Sequence, residues 1–389
     1  MARRVVCRAQ QKAKDSEPSI LSDEREWSKL ARECVGCERT FLMTDLIRTL
    51  SLLNEGHATL SREQARAMMQ TILEDTRNEL PNMQIEAVLV ALAARPVTAD
   101  ELAGFVDAMR AAAVTLPFTD KERATLVDTC GTGGDASGTF NISTAVALVA
   151  GGAGAKIAKH GNRSLTSRSG SADVLDALGV PTSLTPEKAV ECLRATGFVF
   201  LFAPLMHPAM RRVQPIRRAI GRRTVFNILG PLTNPALAPA QILGVYAADL
   251  VPLMAEAMVK LGVRHGFVVH GSDGLDEITL SGETEIAEVK NGALRLWKFS
   301  PEDAGMERGP LSALQGGDAA ENAAILQGIF AGEKGPRRDI VLVNAAATLI
   351  TAGMVQDFRA GVELAARAID SGAVLKTLAA LVEFGKQTQ

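Results

Sequence analysis

The sequence predicts an α/β protein with a small all-helical N-terminal domain, a larger α/β domain built on a mainly parallel sheet, and a ligand cleft between them. Two patterns carry the fold. From Thr44 to about Val114 apolar residues recur at helical spacing, whereas after Leu126 short apolar runs end in glycine-rich turns and alternate with helices. A third observation places function, because a glycine-dense loop and a Lys/Asn/Arg cluster both follow predicted strands.

The helical part is marked by Leu46, Ile47, Leu50 and Leu53, then Met68, Met69, Ile72 and Leu73, then Ile85, Val88, Leu89 and Leu92. Ser61-Arg-Glu-Gln64 and Thr98-Ala-Asp-Glu101 read as capping boxes, in which the N-cap hydroxyl and the residue three on satisfy each other's backbone donors. Candidate strands are Ala124 to Val127, Lys156 to Ala158, Phe198 to Phe202, Ile242 to Tyr246 and Gly266 to His270. Between them lie helices near Thr144 to Ala150, Ala172 to Leu178, Pro186 to Ala195 and Leu250 to Leu261. Thr185-Pro186 and Ser300-Pro301 are helix openings with proline in the first turn. Pro208 to Asn227 reads as a strongly basic helix that interrupts the alternation and returns to the helical domain. The expected division is residues 1–41 as a flexible extension, 42–115 helical and joined by 208–228, and 116–389 as the α/β domain.

The chain has 389 residues, 47% of them hydrophobic, with 42 Lys and Arg against 44 Asp and Glu. Such a balance gives no global attraction to nucleic acid or to a membrane surface, so anion binding must come from local arrangement. No apolar run reaches the roughly 18 to 20 residues of a membrane span. Five scattered cysteines are not a secreted disulfide framework and fit a cytoplasmic location. Cys34-Val-Gly-Cys37 has the spacing of half a zinc or redox motif, but no second pair or nearby histidines complete it.

Three clusters carry chemistry. In Asp128-Thr-Cys-Gly131-Thr-Gly133-Gly134-Asp135-Ala136, glycines let backbone N–H groups approach a phosphate or pyrophosphate, while Asn141, Ser143 and Thr144 sit at a helix N-terminus. Alone, this is also what a tight βα turn with helix-capping hydroxyls looks like. Lys159-His160-Gly161-Asn162-Arg163, continued by Ser164, Thr166, Ser167, Arg168, Ser169 and Ser171, adds three cations and a row of hydroxyls after a strand. His160 reads first as a packing histidine. Asp276-Glu277 puts paired carboxylates at the same sheet edge, and hard oxygen ligands beside a phosphate site suit magnesium.

Gly-Thr-Gly-Gly-Asp, Asn-Ile-Ser-Thr, Lys-His-Gly-Asn-Arg, Gly-Ser-Ala-Asp173, Phe202-Ala-Pro-Leu-Met-His207-Pro, Thr224-Val-Phe-Asn-Ile-Leu-Gly-Pro231-Leu-Thr-Asn-Pro235 and Val269-His-Gly-Ser-Asp-Gly-Leu-Asp276-Glu277 occur here in one order. Together they resemble the anthranilate phosphoribosyltransferases of tryptophan biosynthesis, over about Thr44 to Glu383. The resemblance implies a homodimer that joins anthranilate to phosphoribosyl pyrophosphate and releases pyrophosphate. It implies that Gly131, Gly134, Asp135, Thr139, Asn141, Ile142, Ser143, Thr144, Lys159, His160, Gly161, Asn162, Arg163, Ser164, Leu165, Thr166, Ser167 and Ser171 hold phosphoribosyl pyrophosphate. Gly131, Asn162 and Arg217 would contact anthranilate. Ser143, Asp276 and Glu277 would bind magnesium, two ions per subunit, and no side chain is assigned as general acid or base. Ala136 and Arg222 depart from the family pattern, which usually has glycine after the aspartate and an apolar residue before Arg-Thr. A pyrimidine-nucleoside phosphorylase and a nucleic-acid-binding paralogue of the same architecture are the alternatives.

Overall fold

The computed structural model describes residues 46–53, 59–164 and 168–388. Expectations for residues 1–41, including Cys34 and Cys37, lie outside them. Both expected capping boxes form: Ser61 opens the helix Arg62–Leu73 and Thr98 opens Ala99–Ala111. With Asn82–Ala93 these helices bury Met69, Ile72, Ile85, Leu89, Leu92 and Phe105 in one core. The helix Leu250–Lys260 packs on Ala99–Ala111 and on the sheet, so that core runs on to one face of the strands.

Seven strands form one sheet in the order β3-β2-β1-β4-β5-β6-β7. They are β1 Leu126–Gly131, β2 Lys156–Gly161, β3 Phe198–Phe202, β4 Ala240–Gly244, β5 His265–Gly271, β6 Thr284–Lys290 and β7 Ala293–Phe299. The first five pair in parallel, and β6 and β7 add an antiparallel hairpin. The opposite face is covered by a second core that includes the helices Ile142–Gly152 and Pro336–Thr351. Ile142–Gly152 is buried along its length because it is made of small and branched apolar residues.

Two expectations are corrected. The first strand runs over Leu126–Gly131 rather than Ala124 to Val127, because a Thr119–Glu122 capping box starts a helical turn that ends in Ala124. The strand therefore carries the buried polar residues Asp128 and Thr129. The basic segment is not one helix: a 3-10 turn at Pro208–Arg211 precedes Gln214–Ile220, which Gly221 terminates at φ +63° before Phe226–Leu229. Gln214–Ile220 packs on Asn82–Ala93. Arg212 meets Asp75 at 2.7 Å, with both side chains almost fully buried.

Candidate active site

The chain builds outward from β1 to β2 and β3, then returns to place β4 on the other side of β1. At such a reversal the connections leave a crevice above the strand ends, where open α/β sheets take their ligands. Gly131 ends β1 and pairs with Gly244 at the end of β4. A methyl group at Gly131 would lie 2.5 Å from Asp276 Oδ2, and one at Gly244 only 1.6 Å from the Asp276 carbonyl oxygen. The two bare strand ends are what let the loop with Asp276 and Glu277 descend into the crevice. Gly244 is a site residue that sequence reading missed; a glycine inside the expected strand Ile242 to Tyr246, which instead spans Ala240–Gly244, was its one signal.

The loop after β1 is fastened at both ends. Thr132 N–H donates to Gly244 O at 2.9 Å, Thr132 Oγ1 accepts from Tyr246 N–H at 3.1 Å, and Gly133 N–H donates to Asp276 Oδ2 at 2.9 Å. At the far end Thr139 bridges Gln315, and Phe140 N–H donates to Leu314 O at 3.1 Å. Gly133 was expected as a free phosphate donor, but its N–H is spent on Asp276. The N–H groups of Gly134, Asp135 and Ala136 have no protein acceptor among the described residues. Ala136 holds φ +57°, a left-handed conformation that costs an L-residue about 1 to 2 kcal/mol.

Asn141 precedes the helix Ile142–Gly152. Its carboxamide is braced, Nδ2 donating to Ser169 O at 3.2 Å and Oδ1 accepting from Asn322 Nδ2 at 2.9 Å. Ile142 and Thr144 are buried, and the Thr144 hydroxyl has no hydrogen-bond partner among the described residues. Lys159 is 1% exposed, so its ammonium lies under the loop rather than in solvent. Its Nζ donates to Thr129 O and, at 3.1 Å, to Ser143 Oγ.

Around that single buried cation gather three acids. Burial raises the Asp276 carboxyl to about 7, with repulsion from Asp135 adding to it. Burial and then Asp276 push Glu277 well above the usual carboxylate range. Burial likewise raises Asp128 to about 6. One Asp128 oxygen accepts the His160 N–H at 3.1 Å. Glu277, Ser143, Gly131 and Gly244 line one small cavity at the strand ends. No group of three His, Cys, Asp or Glu side chains among the described residues forms an all-protein metal cage. A pair of crowded carboxylates and a hydroxyl suits instead a hard cation that keeps waters and shares phosphate oxygens.

The second cluster is less open than its composition implied. His160 packs its ring 5.1 Å from that of His207, and burial lowers the two to about 3 and about 4. Both are neutral near pH 7, so neither stores a proton there. Arg163 is ion-paired with Asp173 at 2.7 Å and Asp176 at 2.5 Å. Asn162 Oδ1 accepts the Arg163 N–H, Ser164 N–H donates to Asp173, and Gly161 and Ser171 stand at the end of β2 and the start of the next helix. Leu165, Thr166 and Ser167 lie outside the described residues.

Of the six arginines in the basic segment, Arg212 is committed to Asp75 and Arg223 donates to Gly134 O at 2.7 Å. Arg217 stacks its guanidinium 5.3 Å from the Phe226 ring centre, and burial lowers its pKa. No carboxylate pairs with it among the described residues, and no hydrogen bond joins it to the loop. The structure thus brings together the loop 131–141, Lys159 and Asp276-Glu277, while Arg217 stands apart as an unpaired, half-buried cation.

A mainly parallel sheet with a glycine-rich loop at its reversal point, packed beside a helical bundle, is the architecture of a two-domain transferase of the glycosyl transferase class. Residues 47–113 match the model of the glycosyl transferase family helical bundle domain, and residues 123–375 match that of its a/b domain. The chain is 49% identical over 327 residues to the anthranilate phosphoribosyltransferase of Desulforamulus reducens, covering 84% of this chain and 93% of that one. It is 49% identical to that of Solibacter usitatus, covering 88% and 99%. The crystal structure of the Thermus thermophilus enzyme superposes with a TM-score of 0.80 at 41% identity, covering 87% of this chain and 99% of that one. The Saccharomyces cerevisiae enzyme in complex with phosphoribosyl pyrophosphate (PRPP) and Mg gives 0.78 at 29% identity, covering 88% and 98%. The chain belongs to the anthranilate phosphoribosyltransferase family.

Proposed function

We infer that this chain transfers the 5-phosphoribosyl group of phosphoribosyl pyrophosphate to the amine of anthranilate, giving N-(5-phosphoribosyl)anthranilate and pyrophosphate. This is the second step of tryptophan biosynthesis from chorismate. The observation that carries the reading is one sheet edge on which free loop N–H groups, a buried lysine and two crowded carboxylates meet.

In this reading phosphoribosyl pyrophosphate occupies the loop 131–144 and residues 159–167 with Ser171. Anthranilate lies against Gly131 and Asn162, with its carboxylate on Arg217. An unpaired, partly desolvated guanidinium is a strong partner for such a group, since a planar fork matches a carboxylate. Ser143, Asp276 and Glu277 would hold magnesium, two ions per subunit, which would supply positive charge against the pyrophosphate. The fit rests on the donor set: two buried carboxylates whose pKa values are raised, Asp276 by burial and by Asp135, and Glu277 by burial and by Asp276, would gain from a nearby cation.

Cleavage of the anomeric C–O bond leaves an oxocarbenium-like ribose and a highly charged leaving group. The free N–H groups of Gly134, Asp135 and Ala136 and the helix N-terminus at Asn141 face that charge, and they need no reorganisation because the loop is already fastened. Lys159 fixes Ser143 and supplies positive charge beneath the loop. No general base is required. The aromatic amine is neutral at pH 7 and loses its proton after attack, in keeping with the neutral, buried His160 and His207. Positioning of the amine supplies the rest.

The functional unit is a homodimer of the cytoplasm, each chain comprising 42–115 with 208–228 as one domain and 116–389 as the other. Arg212 with Asp75 supports the return of the basic segment to the helices. No helix among the described residues is long and apolar enough to cross a membrane. A nucleic-acid-binding role is disfavoured by the net charge of −2 and by the retained carboxylates. The phosphorylase alternative is tested by incubating the protein with pyrimidine nucleosides and phosphate. The reading predicts no free base; release of base without any transfer to anthranilate overturns it.

A further inference from the structure

Arg223 is the one cation of the basic segment that touches the glycine loop, and no role above uses it. Its Nη2 donates to Gly134 O at 2.7 Å, and its guanidinium lies 3.7 Å from the centre of the Tyr246 ring. Tyr246 is anchored in turn, its N–H donating to Thr132 Oγ1 at 3.1 Å. Three chain segments, after β1, after β4 and after the helix Gln214–Ile220, therefore meet at one side chain. The contact has a directional consequence. All described peptide bonds are trans, so fixing the Gly134 carbonyl toward Arg223 points the Asp135 N–H the opposite way. Gly134, at φ +77°, has no side chain to hold its peptide plane otherwise. The Gly133 N–H is already committed to Asp276, so the unspent donors begin at Gly134.

We propose that Arg223 is a positioning residue of the transfer reaction: with Tyr246 as its platform it sets the Gly134–Asp135 peptide plane and so aims the Asp135 N–H at the pyrophosphate. This rests on the loop being the pyrophosphate site, as inferred above. Arg223 holds the cradle by its outer side while the anion enters from the other.

The test is calorimetric binding of magnesium pyrophosphate, with the two substrate KM values, in Arg223→Ala, Arg223→Lys, Tyr246→Leu and Asn141→Ala. Arg223→Ala is expected to weaken pyrophosphate and raise the phosphoribosyl pyrophosphate KM about tenfold, the effect of one hydrogen bond from a charged donor. The anthranilate KM and the Tm should not move, because Arg223 is exposed and contributes nothing to the core. Lysine, which can donate to the same carbonyl, should restore part of the affinity, and Tyr246→Leu should fall between. Asn141→Ala separates the two ideas. If it weakens pyrophosphate and Arg223→Ala does not, the positioning role falls and the loop reading stands; if neither does, the loop reading falls as well. An Arg223→Ala enzyme whose two KM values rise together also overturns the proposal.

Discussion

Replacing Gly131 with alanine tests the crowded junction of β1, β4 and the acidic loop. The new methyl carbon would stand 2.5 Å from Asp276 Oδ2 and 3.3 Å from its Cγ, where ordinary contact begins at 3.4 Å. The carboxylate must therefore withdraw by about 0.9 Å, the difference between 3.4 and 2.5 Å. The same oxygen accepts the Gly133 N–H, so its withdrawal also slackens the loop. Misplacing a reacting group by about 1 Å costs on the order of a hundredfold, near 2.7 kcal/mol of barrier. We expect kcat/KM to fall by roughly that factor, and the magnesium concentration for half-maximal rate to rise. The fold should lose little, since the change sits at a strand end and leaves the sheet pairing intact. Steady-state rates from anthranilate fluorescence, a magnesium titration and a thermal melt measure all three. An unchanged kcat/KM in a folded Gly131→Ala protein would refute the reasoning, because the carboxylate would then not be where the chemistry needs it.

Further outcomes follow from the same geometry. Arg217→Ala should raise the anthranilate KM roughly ten- to a hundredfold, as expected for losing a charged hydrogen-bonding partner, and spare that of phosphoribosyl pyrophosphate. Asp276→Asn and Glu277→Gln should each lower activity in a way that excess magnesium partly restores. Arg212→Ala leaves Asp75 buried without its partner and should cost about 3 to 5 kcal/mol in urea unfolding. His207 is held neutral in the fold at about 4, so below about 6.5 the unfolded chain takes up this proton first and stability falls as pH falls toward 4. That loss is about 3 kcal/mol, and a His207→Gln variant should show a correspondingly shallower decline between pH 6.5 and 4 by urea unfolding.

Much of this was legible in the chain. Helices opened by Ser61 and Thr98 form where their capping boxes stand, because those hydroxyls satisfy backbone donors whatever the tertiary context. The glycine loop and the acidic pair, which the structure brings together, stand out in the chain because glycine, hydroxyl and carboxylate clusters after apolar runs are local signals. The first strand was set too early, since Asp128 and Thr129 interrupt the apolar run, and nothing local tells that a polar pair is buried. The hairpin of β6 and β7 went unread because β7 exposes nearly its whole length and so lacks an apolar run. Gly244, Tyr246 and Arg223 act through partners distant in the chain, Asp276, Thr132 and Gly134 among them. Among arginines of like composition, a contact map rather than a pattern separates Arg212 on Asp75, Arg223 on the loop and Arg217 on Phe226. Ala136 shows the limit most clearly: its left-handed backbone, which an alanine side chain disfavours, has no local signal in the residue pattern.

The most direct measurement is the fluorescence of anthranilate mixed with the purified protein, phosphoribosyl pyrophosphate and magnesium, with each component omitted in turn. The account predicts that fluorescence decays only when all are present, and that pyrophosphate appears in equal amount to the anthranilate consumed. Persistent fluorescence in the complete mixture would contradict it.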